Sequence, residues 1–163
     1  MEIEAGQVLI PPVEAPRGMY PARLDDKGRL KLPVPFQQYL GSLAEKKLFV
    51  TSLDRHIAQI YPISVWRENE KFFDDYRDDP DGADDIWFNA SDLGADADMD
   101  GQGRITFNPD LRRELGLENS QLRLYAKRGV IEILNEAWYQ ARRQRAADEP
   151  SSKLNTLRRA GLR

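Results

Sequence analysis

At 163 residues and 40% hydrophobic content, the chain can bury the core of one compact domain or two small ones, which excludes wholesale disorder. It has no cysteine, which excludes a disulfide framework or a thiolate metal site and suits a reducing compartment. A formal net charge of −3 opposes nucleic-acid binding if it is spread evenly, because phosphate is neutralised by Lys and Arg, so the distribution of charge matters more than its sum.

The opening Met1-Glu2-Ile3-Glu4 lacks the basic region and long apolar stretch of a secretory signal. No apolar run approaches the roughly 20 residues that span a bilayer, and the chain reads as soluble and intracellular. Residues 1–16, three of them proline, read as a flexible extension. Residues 19–24 form a strand-like run that ends in a Gly-containing turn, and Arg29-Leu30-Lys31-Leu32 then alternates polar and apolar as a half-buried strand does. Between Arg17 and Lys31, five basic residues face only Asp25 and Asp26. Pro35 and Gly41 bracket a short helix, and residues 48–51 and 57–61 read as strands. A longer helix starting near Ser64 sets Val65, Trp66, Phe72, Phe73 and Tyr76 along one stripe, which reads as core or subunit interface rather than as a stacking surface for bases.

Asp78-Asp79-Pro80-Asp81-Gly82 is a turn-rich linker signal, set in an interval from Asp74 to Asp100 where eleven aspartates meet the single base Arg77. A second set of elements follows. Asn108 can cap a short helix, Pro109 fits its first position and Gly116 can end it. Residues 122–125 and 130–134 read as strands, and Asn135 caps a last helix carrying Trp138 and Tyr139. From Tyr139 onward seven bases face Asp148 and Glu149, and the residues after Pro150 read as a second flexible extension.

The two sets are copies. Leu24-Asp25-Asp26-Lys27-Gly28-Arg29-Leu30 aligns without gaps on Met99-Asp100-Gly101-Gln102-Gly103-Arg104-Ile105, at an offset of 75 residues. The match continues through Leu40-Gly41 on Leu115-Gly116, with Leu32 opposite Phe107 and Phe36 opposite Leu111. A duplicated supersecondary unit accounts for this better than chance. The organisation is an extension over 1–16, a first unit over 17–77, an acidic linker over 78–91, a second unit over 92–143 and a basic tail over 144–163.

The repeated loop has a defined chemistry. Residues two apart on a strand share a face, so Lys27, Arg29 and Lys31 make a cationic ridge while Leu30 and Leu32 point to the core. Gly28 permits positive φ and close approach of a phosphate or base. The second ridge is Gln102, Arg104 and Thr106, with one cation where the first has three. The bland alternative is that Arg29 and Arg104 pair with Asp25 and Asp100 only to hold the turns.

Asp96-Ala97-Asp98-Met99-Asp100-Gly101 matches the first half of an EF-hand calcium loop, but the closing position is Phe107 instead of a glutamate and the flanks read as strands. No metal or cofactor is expected. His56 is the one histidine, no Gly-rich phosphate loop occurs, and the paired aspartates are adjacent in sequence as solvated carboxylates are, so the chain reads as a non-enzyme without a small-molecule substrate.

Arg17-Gly18-Met19-Tyr20 followed by Leu24-Asp25-Asp26-Lys27-Gly28-Arg29-Leu30-Lys31-Leu32-Pro33 resembles the opening of the MraZ family, of the SpoVT/AbrB-like superfamily. Leu53-Asp54-Arg55-His56, Ile60-Tyr61-Pro62 and Trp66 resemble the family's first-half ending, and Asp100-Gly101-Gln102-Gly103-Arg104-Ile105 with Pro109-Asp110-Leu111-Arg112 its second motif. The resemblance spans roughly residues 17–143. It implies a β-rich α+β fold of two tandem AbrB-type swapped-hairpin units, forming a pseudo-symmetric β-barrel-like core with flanking short helices. It also implies assembly into a homo-oligomeric ring, a cytoplasmic, nucleoid-associated location, and binding to direct repeats in the promoter of the cell-division and cell-wall gene cluster, including its own operon. The family's DNA-contacting loop falls on Lys27, Gly28 and Arg29, shaped by Asp25, and on Gly103 and Arg104 with Asp100. Gln37 and Asn108 depart from the arginine and proline usual in the family.

Two functions compete, ahead of a third, an antitoxin-like DNA binder of the same superfamily, which the two copies in one chain disfavour. One is a ring-forming regulator on double-stranded promoter DNA; the other is a ring-forming protein-interaction scaffold whose acidic middle has weakened or abolished DNA binding. Whether both ridges lie together on one face, or are surrounded by aspartates, discriminates between them.

Overall fold

The computed structural model describes residues 13–163, so most of the expected N-terminal extension lies outside the described residues. In chain order the elements are β1 (Tyr20–Ala22), β2 (Arg29–Lys31), α1 (Val34–Gly41), β3 (Leu48–Thr51), β4 (Ala58–Pro62), α2 (Ile63–Asp75) and α3 (Pro80–Leu93). Then follow β5 (Ala95–Ala97), β6 (Arg104–Thr106), α4 (Pro109–Glu114), β7 (Leu122–Lys127), β8 (Val130–Asn135), α5 (Glu136–Ala146) and α6 (Pro150–Arg159). Local chemistry sets several boundaries. The Asn108 side chain accepts the Asp110 N–H at 3.0 Å ahead of Pro109, Gly116 takes a φ of 62° after α4, and the Asn135 side chain accepts the Trp138 N–H at 2.8 Å.

Six strands form one antiparallel sheet in the order β1-β7-β8-β4-β3-β5, while β2 and β6 pair with each other as a separate two-stranded sheet. The halves are interleaved, since β1 borders β7, β5 borders β3 and β2 borders β6. Strand alternation separates two cores. Leu48, Val50, Ala58, Ile60, Leu122, Leu124, Ile131 and Ile133 turn to one face, where Leu30, Ile105, α1 and α4 cover them. Tyr61 and Val130, with Phe49, turn to the other, beneath Trp66 of α2 and Ala90 of α3.

The expected barrel-like core does not form. The large sheet is open, with β1 and β5 as edges unjoined among the described residues. Both edges are three residues long, Pro21 in β1 has no N–H with which to extend a ladder, and Asp96 in β5 lies beside Lys47 at 3.5 Å. Between β1 and β2 the backbone closes on itself through a lone Leu24–Leu30 bridge, which detaches β2 from the large sheet. Nor are the helices only short flanks: α2 and α3 have 13 and 14 residues, against six in the longest strands. The fold is an open α+β arrangement.

Three local expectations also change. Residues 78–82, a turn signal by composition, open α3, because the Asp79 side chain accepts the Gly82 N–H at 3.0 Å and Pro80 takes the first helical position. The residues after Pro150 are helical, as α6. The aromatic stripe divides: Trp66 is buried, 4.6 Å from the Phe49 ring, whereas Phe72 is exposed.

Candidate nucleic-acid interface

Each repeated loop is folded around its aspartate. Asp25 Oδ1 accepts the N–H groups of Lys27 and Arg29, both at 2.9 Å, and Oδ2 accepts Arg29 Nε–H at 2.7 Å. Asp100 Oδ1 accepts those of Gln102 and Arg104, again at 2.9 Å, and Oδ2 accepts Arg104 Nε–H at 2.9 Å. The backbone repeats as well, with Gly28 N–H donating to the Asp25 carbonyl and Gly103 N–H to the Asp100 carbonyl, each at 3.0 Å. The arginine backbone N–H, and then its side chain, hold both carboxyl groups below the ordinary carboxylate range against the opposing effect of desolvation. Gly28 and Gly103 sit at φ 75° and 76°, where a side chain is strained.

The two loops then dock on each other. β2 and β6 pair antiparallel in the register Arg29 with Thr106, Leu30 with Ile105 and Lys31 with Arg104. Leu32 N–H donates to the Gly103 carbonyl and Phe107 N–H to the Gly28 carbonyl, both at 2.9 Å. These contacts exchange under the 75-residue offset, so a local two-fold axis passes through the Leu30–Ile105 pair. Leu30 and Ile105 are fully buried, and such burial stabilises by about 1.5–3 kcal/mol each.

Paired residues share a face of a ladder, so Arg29, Lys31, Arg104 and Thr106 lie together opposite that buried pair, with Lys27 and Gln102 at the loop tips. The structure therefore brings Lys27, Gly28, Arg29, Lys31, Gly103 and Arg104 into one small sheet and its loops, with Asp25 and Asp100 at the loop bases. The arginines are half-buried. Each uses Nε on its aspartate, while its Nη groups have no acceptor among the described residues. A guanidinium held in this way is aimed, and its remaining fork matches a phosphate or the Hoogsteen edge of guanine. Turn-holding and ligand contact are thus compatible duties of one side chain. Asp74 to Asp92 of the acidic interval lie on α2, α3 and their connection, and these helices pack over the other core through Trp66 and Ala90.

Sequence reasoning missed what stands behind each glycine. The Arg112 guanidinium lies against Gly28 and the Gln37 amide against Gly103, positions that are themselves related by the offset of 75. Arg112 is largely buried, with Nη1 3.6 Å from Glu118, while Gln37 donates to the Leu32 carbonyl at 2.7 Å. The first loop thus has a cation behind it and the second a neutral amide. The repeat alignment contained this pair; reading it required knowing that the short helices back the loops.

Elsewhere, the His56 ring stacks on Trp138 at 4.4 Å. Among the described residues no cluster of His, Asp and Glu is placed to hold a metal ion, and no helix is long and apolar enough to cross a membrane.

No model of a known protein family matches the chain. Individual relatives do. The chain is 35% identical over 128 residues, 76% of its length and 83% of the relative's, to the transcriptional regulator MraZ of Corynebacterium kroppenstedtii. It is 30% identical over 119 residues, 73% and 81% of the two chains, to that of Acidobacterium capsulatum, and 32% identical over 123 residues, 75% and 83%, to that of Nitrosospira multiformis. The duplicated loop and these relatives define a transcriptional regulator, which accords with the reading of a non-enzyme. The chain belongs to the MraZ family.

Proposed function

We propose that the chain regulates transcription by gripping promoter DNA with the β2–β6 face, each arginine fork meeting phosphate or guanine. The DNA is a set of direct repeats in the promoter of the cell-division and cell-wall gene cluster, including the chain's own operon. The protein acts in the cytoplasm on the nucleoid, as a homo-oligomeric ring in which each copy presents a face to a neighbouring repeat. The observation that carries this reading is the pairing of Lys31 with Arg104 and of Arg29 with Thr106, which merges two weak ridges into one cationic surface away from Trp66 and Ala90, the anchors of the acidic helices. Lys27, Arg29 and Lys31, with Arg112 behind them, supply most of its charge, so the first loop dominates the electrostatic attraction.

The test is titration of the full chain with promoter DNA holding one or several repeats, against a scrambled duplex of equal length. The reading expects preference for the repeats and a larger gain on several than on one, because linked contacts reinforce each other. Equal, weak binding to all three duplexes by an assembled protein would favour the scaffold.

A further inference from the structure

Two strongly charged regions take no part in the loop face, and each carries an apolar surface left uncovered by the described residues. Between α2 and α3 lies an open cavity of about 600 Å³, walled by Phe72, Phe73, Tyr76 and Ile86 and bordered by Asp79 and Asp85. Its wall is built: Phe72 stacks on Tyr76 at 5.1 Å and Phe73 meets Trp87 edge-on at 5.3 Å. Yet Phe72 remains 55% exposed. Asp74, Asp75, Asp78, Asp81 and Asp84 add negative charge along the two helices and their connection, against Arg67 and Lys71 on α2 and Arg77 after it.

At the far end of the sequence, α6 has the opposite sign and the same deficit. Leu154 and Leu157 fall one helical turn apart, and Leu162 follows the cap, where its N–H donates to the Leu157 carbonyl at 3.0 Å. Leu157 is 54% and Leu162 50% exposed, and no residue of α6 is buried. Lys153, Arg158, Arg159 and Arg163 flank the leucines. Among the described residues α6 forms no hydrogen bond or ion pair with α2 or α3, and its one side-chain bond beyond its own helix runs from Lys153 to the Arg145 carbonyl.

We infer that α6 of one copy docks in the acidic aromatic groove between α2 and α3 of a second copy, its leucines against the aromatic wall and its bases against the rim aspartates. A basic helix could serve as a DNA arm, but an arm needs no leucine face, and the groove offers both the apolar wall and the opposite charge. The contact joins unlike surfaces, groove to helix, so each copy can both give and receive, and the contacts can be satisfied by reciprocal exchange between two copies or head to tail around a closed ring. The inference rests on the reading of the chain as a homo-oligomer and supplies its interface.

Because the chain has no cysteine, the contact can be trapped cleanly. Ala160→Cys and Asp85→Cys chains, mixed and oxidised, should yield a disulfide-linked heterodimer in excess of either homodimer. Arg158→Glu with Arg159→Glu should weaken self-association by the order of tenfold in light scattering, and adding Asp84→Lys with Asp85→Lys in the same chain should restore it. An assembly insensitive to these reversals and without the mixed disulfide overturns the inference while leaving oligomerisation standing. A monomeric parent overturns both. An intrachain disulfide in a chain carrying both Ala160→Cys and Asp85→Cys, without intermolecular product, shows the tail docking on its own copy and overturns it. Loss of DNA affinity with unchanged assembly and no mixed disulfide makes α6 a DNA arm and overturns it as well.

Discussion

Substituting alanine at Gly28, Gly103 and Gly101 separates the loop account from a generic one, because three glycines in equivalent loops should answer differently. Gly28 and Gly103 both hold positive φ, which costs an alanine about 1–2 kcal/mol. The added Cβ would also fall 1.8 Å from Arg112 Nη1 at Gly28, and 2.1 Å from Gln37 Cδ at Gly103. Either side chain must move, Gln37 losing its bond to the Leu32 carbonyl and Arg112 its packing, at about 1 kcal/mol. Gly28→Ala and Gly103→Ala should therefore each destabilise by roughly 2–3 kcal/mol, or about 4–12 °C in melting temperature for a chain of this size. Gly101 has no atom within 4 Å of the added Cβ and no positive φ, so Gly101→Ala should be neutral or stabilise by up to about 1 kcal/mol through the unfolded chain. Thermal melts at one fixed protein concentration decide the matter. If all three variants melt within about a degree of one another, the positive-φ loops and their backing side chains do not carry the role given to them.

Other expected outcomes concern the loop carboxylates. Asp25 and Asp100 titrate below their ordinary value in the folded chain, so their contribution is complete above the unfolded-state value and is lost as pH falls through the folded one. Urea titrations below about pH 4 should show the parent losing stability more steeply than the Asp25→Asn, Asp100→Asn chain; parallel curves would contradict this. Chelator should leave the melting temperature unchanged, because Asp100 commits both oxygens to its loop and Asp96 lies beside Lys47. A fall of several degrees would revive a cation at Asp96, Asp98 and Asp100.

The loops were legible in the sequence because their information is local: an aspartate, a glycine and an arginine within five residues, repeated at a fixed offset. The short helices were legible from Asn108, Pro109 and Gly116 for the same reason. Sheet order was not. Nothing in residues 20–22 says that they pair with residues 122–124, and the open edge at Pro21 becomes visible only once that partner is known. The Asp-Pro-Asp-Gly run misled because a turn signal and a helix N-cap use the same residues, and burial of Ala90 and Leu93 decides between them. Arg112 escaped notice as a backing cation because its duty depends on α4 packing behind a loop some eighty residues earlier.

The central claim, that the paired loops meet DNA through their arginines, is tested most directly by the salt dependence of promoter binding for the parent, Arg29→Ala and Arg104→Ala, with folding and assembly verified for each chain. An ion pair with aspartate at the surface contributes little to stability, so both variants should fold and assemble. For an arginine on phosphate, the plot of log affinity against log salt should lose about one unit of slope per engaged loop, on every sequence alike. For one on guanine, roughly 1–3 kcal/mol should be lost at a specific base. Arg29→Ala binding the promoter as tightly as the parent, with an unchanged slope, would contradict the account and move the scaffold reading ahead.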